Sequence, residues 1–401
     1  MKKIKYIEND ITKGIQYDYK HLKNIYDSLG IPKTVFKPPI MELETNHYLI
    51  ELSDRSRGKT TNWLLFGLCM NREYGTIIQY IRQKETMLAP KFATELVTVI
   101  NEFNNGQYIK NLTDNKYNAL TYHWGKFYYA LIDENGKILE RAERHCIQCL
   151  SVDKNLDYKS GYNAPLGDLI IFDEFLSKYY SFNECIDFLD LCSTIIRQRF
   201  SPRIILLANT IKTTSQYFEE FTIQRSVRGM EKGEHKNIVT DGGTHIFFEI
   251  LASDTSENKQ KHNTKFFGFK NPKLASITGS STWALENVPH IPQCEHEVIN
   301  NRLYIELNTY EYLQCEFVCR HDNMSNALFV HYANKPKSDS IILTLSNDRK
   351  ERYLYGTGNK KIHNLLYNML AKRNIFYSSN EVGNDFKNYL RSCKENPYDL
   401  L

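Results

Sequence analysis

The residues with the plainest chemistry are Gly58-Lys59-Thr60. A glycine lets backbone approach phosphate oxygens, a lysine sets a compact charge on the terminal phosphates, and the next hydroxyl can reach Mg2+. Ser53 stands where the pattern G-x-x-x-x-G-K-[ST] has its first glycine, and Thr61 completes the set. An apolar run at 47–52 precedes the loop and a helix is predicted from Lys59, so the helix amides would face the anion. A bare Gly-Lys-Thr also fits a solvated polar turn, and the phosphate reading needs support elsewhere.

That support lies at Leu169-Ile-Ile-Phe-Asp173-Glu174. Four apolar residues in a row predict a strand buried on both faces, as in a parallel sheet. Acids at its carboxyl end sit where open α/β sheets bind ligands. Asp173 would hold the Mg2+ shell and Glu174 would orient or polarise an attacking water. A third run, Arg203 to Ala208, ends in Asn209, whose amide could contact a γ-phosphate or the lytic water. Together these residues point to hydrolysis of a nucleoside triphosphate with Mg2+.

The elements that must carry them follow from periodicity. Helical spacing at 17–29 stops at Gly30 and Pro32; 59–70 reads as a helix, 75–82 as a second strand and 90–103 as a further helix. Strand, loop, helix, strand is the context a phosphate loop requires. Residues 117–132 and 137–152 read as a β-rich excursion about the 134–136 turn. A helix at 183–199 carries Arg197 and Arg199, and 221–243 reads as a loop or small subdomain. From Arg302 onward, strands at 303–307, 312–319, 327–332 and 341–345 precede helices at 360–373 and 382–393, an α+β pattern.

Composition sets the outer bounds. The chain of 401 residues, enough for two domains or one domain with a large appendage, is 41% hydrophobic and 24% charged, ordinary for a folded soluble protein. No run approaches the ~18 apolar residues of a membrane span, and no apolar stretch follows the basic start as a secretory signal needs. Nine scattered cysteines suit a reducing cytoplasm. Cys146 and Cys149, and Cys315 and Cys319, lie in predicted strands at spacings that fit buried apolar residues better than metal ligands. Net charge is only +4, but residues 335–373 hold nine Lys or Arg against three acids, and 258–273 hold five lysines and no acid. Lys360, Lys361, Lys372 and Arg373 on the predicted helix are candidate phosphate contacts for a polyanion, against the plainer reading of a solvated face.

In order and spacing, these motifs resemble the DNA-encapsidation ATPases of small short-tailed phages (Salasvirus-like, Picovirinae), relatives of terminase large subunits. The resemblance rests on Arg55-Ser-Arg-Gly-Lys-Thr60, Ile170-Ile-Phe-Asp-Glu-Phe175, Leu206-Leu-Ala-Asn209, Gln216-Tyr-Phe218 and Leu303-Tyr-Ile-Glu-Leu307. It implies an additional-strand P-loop NTPase domain at 1–235, with 1–45 as an extra segment, a linker or lid at 236–298, and an RNase H-like domain at 299–401. It also implies a homo-oligomeric ring, usually a pentamer, that drives double-stranded DNA into a procapsid through the portal in the host cytoplasm, with or without an RNA or protein adaptor. Arg55 matches the arginine that family members place in the loop, and Arg225 or Arg228 would act in trans on a neighbour's nucleotide. In the predicted C-terminal strands only Glu306 and Glu316 are acidic, too few for a two-metal nuclease. A cutting terminase and a non-motor NTP-binding ring component are the alternatives; the second acid, Glu174, speaks against the latter.

Overall fold

The computed structural model describes residues 14–31, 36–53, 58–159, 166–176, 184–209, 215–228, 230–252, 288–290, 296–308, 311–320, 326–344, 353–355 and 360–395. The chain divides into two compact units, Met1–Thr213 with Arg225–Thr282, and Thr214–Gln224 with Trp283–Leu401.

The first unit is built on a ten-stranded sheet. Six parallel strands form its middle: β6 (Ile147–Ser151), β2 (Ile78–Arg82), β7 (Leu169–Asp173), β8 (Arg203–Ala208), β1 (Tyr48–Leu52) and β10 (His245–Ile250), in that order. β7 and β8, read from sequence as doubly buried, occupy the centre, as their unbroken apolar runs require. β8 stands between β1 and β7, separating the strand that enters the Gly58 loop from the strand that ends in acids. An antiparallel strand, β9 (His235–Val239), closes the side beyond β10. On the other flank β4 (Lys126–Ile132) pairs with β6, β3 (Ala119–His123) pairs with β4, and β5 (Ile138–Arg141) also pairs with β4.

Helix α2 (Lys59–Tyr74) runs back from the Gly58 loop and is buried from Asn62 to Met70. Gly67 lets it lie close on the sheet: a Cβ there would come within 2.6 Å of Ile78 and 2.9 Å of Leu169. Helix α1 (Tyr19–Ser28) packs against α2, burying Tyr19, Leu22 and Tyr26 at helical spacing. Its cap is Asp18, whose carboxylate accepts from the His21 amide at 2.8 Å. The described part of the expected extra segment thus shares the core of the first unit. Helices α3 (Pro90–Glu102) and α4 (Tyr108–Leu112) follow β2, α5 (Asn155–Lys159) follows β6, and α6 (Glu184–Ile196) links β7 to β8.

Two expectations change here. The stretch 221–243 is not a loop throughout: after the short α7 (Gln216–Glu220) and α8 (Gln224–Val227) it contains β9, and β9 and β10 extend the sheet from within the expected linker. β9 is exposed except at half-buried Ile238 and lacks apolar alternation, which hides an edge strand from pattern reading. Of the linker, 253–287 and 291–295 lie outside the described residues. The β-rich excursion is also smaller than expected, because β6 at its end is a core strand paired on β2.

The second unit holds a six-stranded sheet, in the order β15 (Tyr353–Tyr355), β14 (Ile341–Thr344), β11 (His296–Asn308), β12 (Glu311–Arg320), β13 (Asn326–Ala333), β16 (Ile375–Tyr377). β11, β12 and β13 form an antiparallel meander; β14 lies parallel to β11, β15 to β14, and β16 to β13. Ile305, Leu313, Leu328 and Val330 pack with Leu366 of α9 (Lys360–Ala371) and Phe386 and Leu390 of α10 (Asn380–Glu395). The α+β pattern holds, with β15 and β16 added.

Candidate active site

Gly58 has φ 77°, the left-handed region that glycine enters without strain, and from it the chain turns into α2. Its carbonyl accepts from the Asn62 side chain at 2.8 Å, and Asn62 in turn accepts from the Tyr26 hydroxyl at 2.9 Å. The N-terminal helix therefore braces the loop. Residues 54–57, and with them Arg55, lie outside the described residues.

Lys59 is buried, and its ammonium donates to Ser53 Oγ and, at 3.1 Å, to Asn209 Oδ1. Ser53, in the place of the customary glycine, contributes a hydroxyl to the lysine. Thr60 donates to Asp173 Oδ1 at 3.0 Å, while Thr61, next to it in the first turn of α2, is half-buried. The other oxygen of Asp173 accepts from the Tyr80 hydroxyl at 2.7 Å and from Arg82 Nη1 at 2.8 Å. Arg82 Nη2 reaches Glu174 at 2.7 Å. One guanidinium thus spans both acids, a fork suited to carboxylates.

Glu174 has φ 56°, unusual for a residue with a side chain. The turn follows directly on Asp173 and leaves Glu174 half-exposed while Asp173 is buried. Burial opposes the Arg82 charge, but Tyr80, Asp173 and Glu174 hold its pKa above the ordinary range, so it stays a cation. Phe92 covers it, with the guanidinium carbon 5.2 Å from the ring centre. Burial first, then Asp173, keeps the Tyr80 phenol protonated.

Sequence reasoning passed over Arg82 and Tyr80. The signal available was an arginine closing a buried strand, at the same sheet edge as the acids. Arg82 reaches them because β2 is the neighbour of β7, with Ile81 opposite Phe172. The two arginines of the predicted helix at 183–199 stand elsewhere. Arg199 is buried and pairs with Asp168 at 2.9 Å, at the start of β7 rather than its end. Asp168 also accepts from Tyr17 at 2.8 Å and Ser201 at 2.6 Å, which makes this a structural cluster. Arg197 follows α6 on the same side. Arg225 is exposed on α8, and Arg228 half-buried just beyond it.

Sequence comparisons are silent: no family model matches the chain, and neither does any curated protein. Structure is more informative. The Phi-28 gp11 DNA packaging motor is 14% identical, with a TM-score of 0.55 over 90% of this chain and 99% of that one. The bacteriophage Phi-29 viral genome packaging motor assembly is 16% identical, with a TM-score of 0.53 over 90% of this chain and all of the other. The fold is that of phage DNA-packaging motors. Its first unit resembles the additional-strand P-loop NTPase domain, with β8 as the strand between loop and acids.

Within that fold the arrangement can hold a metal-bound nucleotide. Thr60 Oγ1 and Asp173 Oδ1 lie together, and Tyr80 and Arg82 occupy the other carboxylate oxygen. One hydroxyl and one carboxylate, completed by phosphates and waters, is a donor set that suits Mg2+. Among the described residues no three His, Cys, Asp or Glu side chains cluster as metal ligands. The described cysteines form no disulfide, and Cys146, Cys149 and Cys315 are buried thiols whose pKa burial raises. No described helix is long and apolar enough to cross a membrane.

In the second unit, Glu306 accepts from Thr344 at 2.6 Å and Glu316 from Gln314 at 3.1 Å. Lys361, Lys372 and Arg373 are exposed; the Lys360 side chain lies outside the described set.

Proposed function

We propose that this chain is an ATP-driven translocase that packages double-stranded phage DNA, of the Salasvirus-like (Picovirinae) kind. The observation that carries the proposal is the convergence of Lys59, Thr60, Asp173, Glu174 and Asn209 at one edge of a parallel sheet with β8 between loop and acids. Lys59 neutralises the terminal phosphates and Gly58 admits them to the backbone. Thr60 and Asp173 would hold Mg2+, which would supply charge stabilisation on the phosphate oxygens. Glu174 orients the attacking water, and Asn209 contacts the γ-phosphate or that water.

Arg82 gives the site a resting position. While its guanidinium holds Glu174, the carboxylate is tied to β2, and turnover requires Glu174 to turn toward the nucleotide. Arg55, and Arg225 or Arg228 reaching in from a neighbour, add positive charge at the transferred phosphate, which makes the working form a ring. Five copies is the number the resemblance implies, docked at a procapsid portal in the host cytoplasm.

The second unit is read as an RNase H-like domain that grips DNA without cutting it. A meander with two further parallel strands beside β11 supports that reading. Lys360, Lys361, Lys372 and Arg373 supply phosphate contacts, and the separate engagement of Glu306 and Glu316 fits the lack of cleavage. The test is ATP turnover with and without duplex DNA, with plasmid and Mn2+ in parallel. Stimulated turnover with intact plasmid is expected; plasmid cleavage would favour a terminase, and no turnover a non-motor ring component.

A further inference from the structure

The β3–β4 hairpin carries a residue that neither the fold nor the nucleotide site uses. Its turn, His123-Trp124-Gly125-Lys126, has positive φ at both central residues, 50° and 77°. That is type I′ geometry, which favours Asn-Gly or Gly-Gly and disfavours a bulky side chain at the first position. Trp124 is nevertheless there, 86% exposed, with His123 as its ring neighbour at 6.0 Å. Packing does not account for it.

The surrounding face is basic and aromatic. Phe127 and Tyr129 turn into the core, so Lys126 and Tyr128 turn outward. Lys126 pairs across the hairpin with His123. The Arg141 guanidinium lies 4.9 Å from the Tyr128 ring centre, and the His145 ring 6.1 Å from it. Burial, then the nearby Lys126 charge, lowers the His145 pKa, so its ring is neutral at pH 7. Neither Lys126 nor Arg141 forms an ion pair among the described residues. The Gly125 carbonyl accepts from the Cys149 amide, and Cys149 lies in register with Tyr80. The turn therefore stands at the sheet edge toward which the parallel strands run.

We propose that this hairpin is a binding site for an unpaired nucleotide, with Trp124 stacking on the base and Lys126 and Arg141 taking the flanking phosphates. An exposed aromatic set among cations is how proteins hold single strands, because every base offers a π-face and every linkage a negative charge. A duplex hides its base faces. Lys126 and Arg141, without an ion pair among the described residues, leave their charge for an anionic partner. The site is separate from the nucleotide pocket and stands without it.

Intrinsic fluorescence tests this on the full chain, which has three tryptophans, one of them the buried Trp63. Oligothymidylate, oligouridylate and a duplex of equal length are titrated in turn, and the two single strands tell DNA from RNA. A single strand should quench emission; Trp124→Ala should remove the quenching and weaken binding about tenfold or more, and Trp124→Phe should restore affinity without quenching. Arg141→Ala should flatten the slope of log affinity against log salt by about 0.7. Equal ATP binding by Trp124→Ala and the parent chain excludes misfolding as the cause. Quenching that survives Trp124→Ala, or single-strand binding equal in both proteins, overturns the proposal. A blue shift with rising protein concentration, absent in Trp124→Ala and without nucleic acid, would instead assign the hairpin to contact between copies and overturn it too.

Discussion

Replacing Glu51 by Gln should stabilise the protein increasingly as pH rises. Glu51 lies on β1, fully buried, two residues before Ser53. One carboxyl oxygen accepts from Trp63 Nε1 at 3.0 Å and the other has no hydrogen-bond partner. Burial pushes its pKa from the ordinary 4.5 to about 8, with Glu249, opposite it on β10, adding to the rise, and Trp63 and Lys59 opposing it. The folded chain thus keeps this carboxyl protonated where the unfolded chain has ionised it. Stability from this group is complete below pH 4.5, falls as pH climbs, and levels off above about 8 where both states are ionised.

The slope is about 1.4 kcal/mol per pH unit, reaching on the order of 5 kcal/mol in all. Glutamine keeps the acceptor for Trp63 and carries no charge in either state. Urea unfolding of both proteins, followed by circular dichroism, gives the difference and cancels the titrating groups that do not interact with Glu51. Between pH 5.5 and 7.5 the advantage of Glu51→Gln should widen by about 3 kcal/mol. Curves that run parallel across that range would refute a carboxyl held neutral by burial.

Three further outcomes are expected. Arg82→Ala should cost about 3–5 kcal/mol, since it leaves Asp173 buried without its cation, and urea midpoints would show it; a neutral change would mean the fork contributes nothing. Arg225→Ala or Arg228→Ala should bind ATP but hydrolyse it poorly, and partial activity should return on mixing with Lys59→Ala subunits; failure at every mixing ratio would remove both as trans-acting groups. Neutralising Lys360 and Lys361 together should flatten the salt dependence of duplex binding by about 2 × 0.9 units, and an unchanged slope would make them a solvated face.

Much of the first unit was legible because its central strands are unbroken apolar runs. Leu169–Asp173 and Arg203–Ala208 read as strands buried on both faces, and Gly58 as a turn into a helix. The turn at 134–136 was legible from its Asn-Gly pair, and it does join β4 to β5. What escaped depends on pairings across long stretches of chain. β10 lies beside β1 in the sheet although far from it in sequence, and β9 follows it as an exposed edge. Arg82 meets Asp173 and Glu174 through strand order alone, which no local pattern records. Tyr26 braces the loop through Asn62 for the same reason. β15 and β16, at three residues each, are too short to show a period.

Whether Lys59 and Glu174 belong to one hydrolytic site is decided by a split between binding and turnover. Nucleotide affinity and steady-state ATP hydrolysis with duplex DNA are measured for the parent chain, Lys59→Ala and Glu174→Gln. Glu174→Gln should bind ATP with Mg2+ as the parent does and lose turnover, because shape is kept while the carboxylate that orients water is gone. Lys59→Ala should lose turnover through the lost charge on the transferred phosphate. Undiminished hydrolysis by either variant would remove that residue from the hydrolytic site.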